Sequence, residues 1–133
     1  MPKLRLRINC DGACRGNPGA SAIGATLKNE QGQLVATVSR TIGRATSNQA
    51  EYRALIAALE KAAELGAQRV DVCLDSELVV RQLQGRYRVK NEALRPLYLC
   101  VTELLGGFAG FTIAAVPRAD NAEADRLANE AFG

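Results

Sequence analysis

The 133-residue chain carries seventeen Lys plus Arg against fourteen Asp plus Glu, a formal charge of +3, and neither histidine nor tryptophan. Without histidine, a Ser-His-Asp or Cys-His nucleophile pair, a zinc site built on imidazole and a His general base are all excluded, which leaves carboxylate, metal-ion, Lys, Tyr or Cys chemistry. The length and the near-average composition, 47% hydrophobic, fit one domain over residues 1–133 with a sizeable core and argue against disorder.

The mild positive charge permits a nucleic-acid or other anionic partner without demanding one. Cys10, Cys14, Cys73 and Cys100 form no C-x-x-C pair and sit in apolar, strand-like or helix-like stretches, so they read as buried free thiols. The N-terminus alternates apolar with basic residues instead of forming the apolar block of a signal peptide, and no window approaches the roughly 18 apolar residues of a membrane span. The expectation is a soluble, cytoplasmic monomer with no membrane partner.

In chain order, Leu4, Leu6 and Ile8 alternate with Lys3, Arg5 and Arg7 up to Asp11, the period-two pattern of a half-buried strand. A turn-rich loop follows at Arg15-Gly16-Asn17-Pro18-Gly19. The apolar stretches Ala22–Leu27 and Leu34–Ile42, separated by the turn Asn29-Glu30-Gln31-Gly32, read as a hairpin and complete a three-strand meander. After Thr46 the sequence turns Ala- and Leu-rich as far as Leu65-Gly66, where glycine is a natural helix stop. Arg69–Leu74 is a Val-rich strand, Asp75–Leu83 a short helix, and Gly85–Lys90 a basic connector. A helix from Asn91 to Leu105, a break at Gly106-Gly107, a strand at Phe111–Val116 and a helix at Asn121–Phe132 complete the chain. The order β-β-β-α-β-α-α-β-α predicts an α/β fold in which an antiparallel meander joins parallel βαβ units in one mixed sheet flanked by helices.

Four carboxylates fall near the ends of these elements. Asp11 closes the first strand and Asp75 the fourth, Glu51 lies in the first turns of the long helix, and Asp125 in those of the last. The carboxyl ends of parallel strands form the crevice where open α/β sheets bind ligands, so Asp11 and Asp75 meet there if their strands are parallel neighbours. Each has a structural reading too. Asn48-x-x-Glu51 and Asp120-x-x-Glu123 resemble capping boxes, Asp75 is a plausible N-cap, and Asp125 suits a helix N-terminus. Taken together, converging like charges repel unless a cation holds them. Hard oxygen ligands without histidine or clustered thiols suit Mg²⁺ or Mn²⁺ better than zinc. Two such ions about 3.5–4 Å apart are a common device for in-line displacement at phosphorus, so the residues point to a metal-dependent phosphoryl-transfer site.

At these residues the sequence resembles type 1 ribonuclease H. The matching pieces are Asn9-Cys10-Asp11-Gly12-Ala13 with Gly16-Asn17-Pro18-Gly19, Thr46-Ser47-Asn48-Gln49-Ala50-Glu51, Leu74-Asp75-Ser76, and Asn121-Ala122-Glu123-Ala124-Asp125-Arg126-Leu127-Ala128, in the family's order over nearly the whole chain. The resemblance implies the ribonuclease H-like fold with a five-stranded mixed sheet, and Asp11, Glu51, Asp75 and Asp125 as catalytic metal ligands. It also implies two-metal hydrolysis of the RNA strand of an RNA–DNA hybrid, leaving 5′-phosphate and 3′-hydroxyl ends. By the same resemblance Arg44 and Thr46, with Asn91, form a pocket for a DNA-strand phosphate, while Cys14, Gly16, Asn17, Ser47 and Asn48 touch the minor groove and the ribose 2′-hydroxyls. Thr46, Ser47 and Asn48 also read as plain helix caps, and the two roles are compatible.

Two departures from the family pattern stand out. The basic, Trp-rich protrusion of better-known bacterial members is reduced to Gly85-Arg86-Tyr87-Arg88-Val89-Lys90, which with Arg81 and Arg95 is still locally positive and carries Tyr87 as a candidate stacking residue or, equally, forms a solvated loop. Where many members place a histidine before the last helix, this chain has Pro117-Arg118-Ala119-Asp120-Asn121. Arg118 is the candidate contact to the scissile phosphate, although arginine cannot act as a general base at neutral pH; the plain alternative is a surface arginine. Both departures resemble the compact, histidine-lacking members of the family, some of which also act on double-stranded RNA, a second expected specificity. A hybrid-binding module without activity and a junction resolvase or transposase-like nuclease are the competing readings. The intact carboxylates weigh against the first, the Thr-Ser-Asn-Gln-Ala-Glu and Ala-Asp-Arg-Leu-Ala pieces against the second.

Overall fold

The computed structural model describes residues 4–133, so Lys3, the first basic residue of the predicted alternation, lies outside the described residues. Its elements are β1 (Arg5–Gly16), β2 (Gly19–Lys28), β3 (Leu34–Ala45), α1 (Ser47–Glu64), β4 (Arg69–Leu74), α2 (Glu77–Leu83), α3 (Arg95–Gly106), β5 (Gly110–Ala115) and α4 (Ala122–Glu130), the last entered through a 3-10 turn at Arg118–Asn121. They form a five-stranded sheet of order β3-β2-β1-β4-β5. β1, β2 and β3 are the antiparallel meander, and β1, β4 and β5 run parallel.

The period-two pattern of β1 does what it predicts: Leu6, Ile8 and Cys10 are fully buried. They join the core with Leu55 and Leu59 of α1, whose alanines at 50, 54, 58 and 62 keep that face thin enough for the helix to lie close to the sheet. Truncating a core leucine such as Leu55 to alanine would cost about 2–5 kcal/mol, because the close-packed surroundings collapse only partly. On the opposite face α4 covers β1, β2 and β3. Its backbone comes so near β2 that a side chain at Gly24 would collide with the Ala124 carbonyl and the Ala128 amide.

Several boundaries differ from expectation, each for a local reason. β1 does not end at Asp11. Its parallel pairing with β4 stops at Asn9–Cys73, but its antiparallel ladder with β2 continues through Arg15–Ala20 to Gly16–Gly19. The loop predicted at residues 15–19 therefore shrinks to a hairpin turn at Asn17-Pro18, made possible by Gly16 at φ +95°. α3 starts at Arg95 rather than Asn91, because the Asn91 side chain accepts the Ala93 and Leu94 amides at 2.8 and 3.2 Å in a turn of its own. Pro96 then sits in the first turn of α3, where its missing N–H does no harm. α4 is shorter than residues 121–132, and past its end the Phe132 ring lies under the Arg15 guanidinium, 4.0 Å from centroid to carbon.

Thr46 caps α1 as expected, but it forms the capping box with Gln49 in place of the Asn48–Glu51 pair, and Ser76 rather than Asp75 caps α2. Glu51 and Asp75 are thereby left without a capping role. All four cysteines are free thiols; Cys10 and Cys73 are buried, whereas Cys14 and Cys100 are only half-buried. Among the described residues no helix is long and apolar enough to cross a membrane.

Candidate active site

Asn9 and Cys73 are the last paired residues of the parallel β1–β4 ladder. Asp11 and Asp75 each stand two residues further on, so the two strands deliver both carboxylates to the same level at the carboxyl edge of the parallel sheet. Asp75 follows immediately on the end of β4, while β2 still supports Asp11 through its pairing with Gly24.

Glu51 comes down from the second turn of α1. Its helix approaches β1 closely because residue 12 is glycine; a Cβ there would stand 2.6 Å from the Ala50 carbonyl carbon. The Gly12 amide donates to Glu51 Oε1 at 3.2 Å. Glu51 Oε2 is buried and has no hydrogen-bond partner. Oxygens of Asp11, Glu51 and Asp75 all lie within 4.8 Å of one another.

Asp125 faces Asp11 from α4 across a cleft of about 400 Å³, whose lining also includes Gly12, Cys14, Arg118 and Asn129. It lies beside Asp11 but outside the tight group of three. Asn129, one turn further along α4, donates to the Asp125 carbonyl at 2.9 Å and to its Oδ1 at 3.3 Å. Arg118, at the start of the 3-10 turn, is exposed and, among the described residues, is the one cationic side chain in the cleft lining.

This crowding shapes the electrostatics. Burial, followed by the neighbouring carboxyls of Glu51, Asp125 and Asp75, pushes the Asp11 pKa far above the usual carboxylate range. Burial also raises Glu51, against the opposing effect of the adjacent Asp11 carboxyl and the Gly12 amide. Metal-free, the group thus retains a proton that a divalent cation would displace. The donors are hard oxygens, one of them an orphan, which fits Mg²⁺ or Mn²⁺.

The other residues singled out from sequence divide between two places. Cys14 reaches the cleft while its thiol donates to the carbonyls of Gly16 and Ala45. Asn17 Oδ1 accepts the Ser47 amide at 3.0 Å, which joins the β1–β2 turn, with Gly16, to the start of α1, where Ser47 and Asn48 lie; of these residues only Cys14 lines the cleft. Arg44 lies away from the carboxylates, in a second cavity of about 270 Å³ with Gln49, Arg53 and Ala93. Thr46 Oγ1 accepts the Gln49 amide at 3.2 Å, and the Asn91 side chain is turned into its own loop; neither lines that cavity.

Beside the basic connector, Arg81 of α2 donates to the Tyr87 hydroxyl at 2.8 Å and stacks on its ring, so one face of Tyr87 is taken. Val89 is buried and pins the connector to the body, leaving Arg86, Arg88 and Lys90 exposed. A larger cavity, about 690 Å³, lies along Arg5, Arg7 and Lys28. Its charges are largely matched in place, Arg5 by Asp71 at 2.6 Å and Lys28 by Glu123 at 2.9 Å, so the smaller acidic cleft is the chemically equipped one. Sequence reading missed Gly12 as the gap that admits Glu51, Arg53 beside Arg44, and Asn129. Only Asn129 left a trace, its helical spacing of four from Asp125.

Over residues 9–131 the chain matches the family described as Reverse transcriptase-like. It is 50% identical over 128 residues to ribonuclease HI of Halobacterium salinarum, covering 96% of this chain and 64% of that relative. The solved RNase H1 of the same archaeon superposes with a TM-score of 0.94 at 49% identity, covering 96% of this chain and 97% of that one. The N-terminal RNase H domain of Rv2228c from Mycobacterium tuberculosis gives 0.93 at 44% identity, covering 97% and 99%. LC11-RNase H1, solved in complex with an RNA/DNA hybrid, gives 0.90 at 39% identity, covering 95% of each chain. The chain spans 64% of the length of the halobacterial relative and 36% of that of Rv2228c.

Proposed function

The chain belongs to the ribonuclease H family, and on that premise we propose that it is a metal-dependent endoribonuclease that hydrolyses the RNA strand of RNA–DNA hybrids, leaving 5′-phosphate and 3′-hydroxyl ends. The observation that carries the reading is the meeting of Asp11, Glu51 and Asp75 oxygens within 4.8 Å, with Glu51 Oε2 buried and unpartnered. With Asp125 they would hold two Mg²⁺ or Mn²⁺ ions. Bound there, the ions supply water activation and charge neutralisation for in-line displacement at phosphorus.

The chain's own residues do the rest. Cys14, Gly16, Asn17, Ser47 and Asn48 offer the duplex a rim of small and polar groups suited to a minor groove and its 2′-hydroxyls, contacts that tell RNA from DNA with little base reading. Arg44, in the cavity it shares with Arg53, grips a phosphate of the DNA strand, with Thr46 at the nearby start of α1, while Asn91 stays turned into its own loop. Arg118 contacts the non-bridging oxygens of the scissile phosphate or of the product, and being permanently charged it neither takes nor gives the proton.

The test is cleavage of matched, end-labelled RNA–DNA, RNA–RNA and DNA–DNA duplexes in Mg²⁺ and in Mn²⁺. Cleavage of the hybrid's RNA strand with 5′-phosphate products is expected. Hybrid binding with no cleavage in either metal would replace the enzyme with a binding module, and equal cleavage of RNA–RNA would broaden the substrate to any RNA-containing duplex.

A further inference from the structure

Asn121 is a buried polar side chain, 1% exposed, at the junction between the 3-10 turn and α4. It occupies the N-cap position of α4, where asparagine ordinarily turns its side chain onto its own helix, yet it makes no such bond. Instead Nδ2 donates to the Cys10 carbonyl at 2.9 Å, and Oδ1 accepts from Asn9 Nδ2 at 3.2 Å.

The place of that contact matters. The β1–β4 ladder ends at Asn9, and Cys10 is the residue before Asp11. One helical turn beyond Asn121 on α4 is Asp125. A single amide therefore ties the helix carrying Asp125 to the strand carrying Asp11, at the point where that strand loses its β4 partner. We propose that Asn121 is a positioning residue that sets the spacing of Asp125 from Asp11 and thereby the affinity of the cleft for divalent cations. The inference rests on the metal-dependent reading above.

A second tie separates this role from general anchoring of the helix. Ser39 Oγ donates to the Leu127 carbonyl at 2.6 Å, joining α4 to β3 with no carboxylate of the cleft involved. The experiment compares wild type, Asn121→Ala, the near-isosteric Asn121→Asp and Ser39→Ala. Mn²⁺ binding to the free protein is measured by calorimetry well below each melting temperature, and hybrid cleavage is measured as kcat and KM against Mn²⁺ concentration.

Both Asn121 variants are expected to bind Mn²⁺ at least about tenfold more weakly, the usual effect of removing a group that orients metal ligands. Their kcat falls, recovers at high Mn²⁺, and KM for the hybrid stays unchanged. Ser39→Ala lowers the melting temperature and leaves Mn²⁺ affinity as it was. Wild-type Mn²⁺ affinity in Asn121→Asp, equal weakening in Ser39→Ala, or failure of both Asn121 variants to fold would each overturn the proposal in favour of a merely structural role. Absence of Mn²⁺ binding and cleavage in the wild type would instead remove the reading beneath it.

Discussion

The Gly12 amide donates to Glu51 Oε1 at 3.2 Å, a contact open to α1 only because residue 12 carries no side chain. Gly12→Ala forces the helix and strand apart at that point. Overpacking of this kind costs about 1–3 kcal/mol. The predicted outcome is a folded protein of lower melting temperature whose divalent-ion affinity and kcat both fall, measured by thermal melts and Mn²⁺ calorimetry. Wild-type metal binding would show that the close approach is not needed to place Glu51.

Asp11 gives the metal-free protein a pH dependence of definite sign. Its pKa in the folded state is raised, whereas the unfolded chain ionises it near 4. Below that pH both states carry the proton and no penalty arises. As pH rises towards the elevated folded value, only the folded state retains the proton, so stability falls. Asp11→Asn removes the effect. In EDTA, the melting temperature of the variant should gain on that of the wild type steadily from pH 4 to pH 8, and a difference flat in pH would contradict the assignment.

Arg118 is exposed at the rim of the carboxylate cleft. Arg118→Ala is expected to lower kcat more than it raises KM, as for a group whose contact strengthens towards the transition state or at product release. Unchanged turnover would make it a surface residue only.

Arg44 and Arg53 share a cavity apart from the carboxylates, and neither has a salt-bridge partner among the described residues. Arg44→Ala should raise KM with little change in kcat. It should also reduce the slope of log affinity against log salt by about one, the signature of one lost phosphate contact. An unaltered salt slope would take the phosphate away from this pocket.

The fold was legible where pattern and partner coincide. The alternation of Leu6 and Ile8 and the Ala-Leu face of α1 each reflect burial against a neighbour, and the element order followed from them. Asp11 lies at the edge of the parallel sheet because the β1–β4 ladder stops at Asn9, not because β1 ends there. The alternation fades at Gly12-Ala13-Cys14 because those residues are small and half-buried, yet the ladder with β2 carries the strand on to Gly16. Among the expected caps Thr46 prevails over Asn48, and Ser76 replaces Asp75, because each sits where its hydroxyl reaches an orphan amide. The Asn121 tie to Cys10 spans 111 residues of sequence, and no local pattern announces a contact of that range.

The most direct test of the account is single-turnover cleavage of a labelled RNA–DNA hybrid by the wild type and by Asp11→Asn, each in Mg²⁺ and in EDTA. The account predicts RNA-strand cleavage by the wild type in Mg²⁺ alone, with none above background from the variant or in EDTA. Cleavage that persists in EDTA, or in the Asp11→Asn protein, would contradict it.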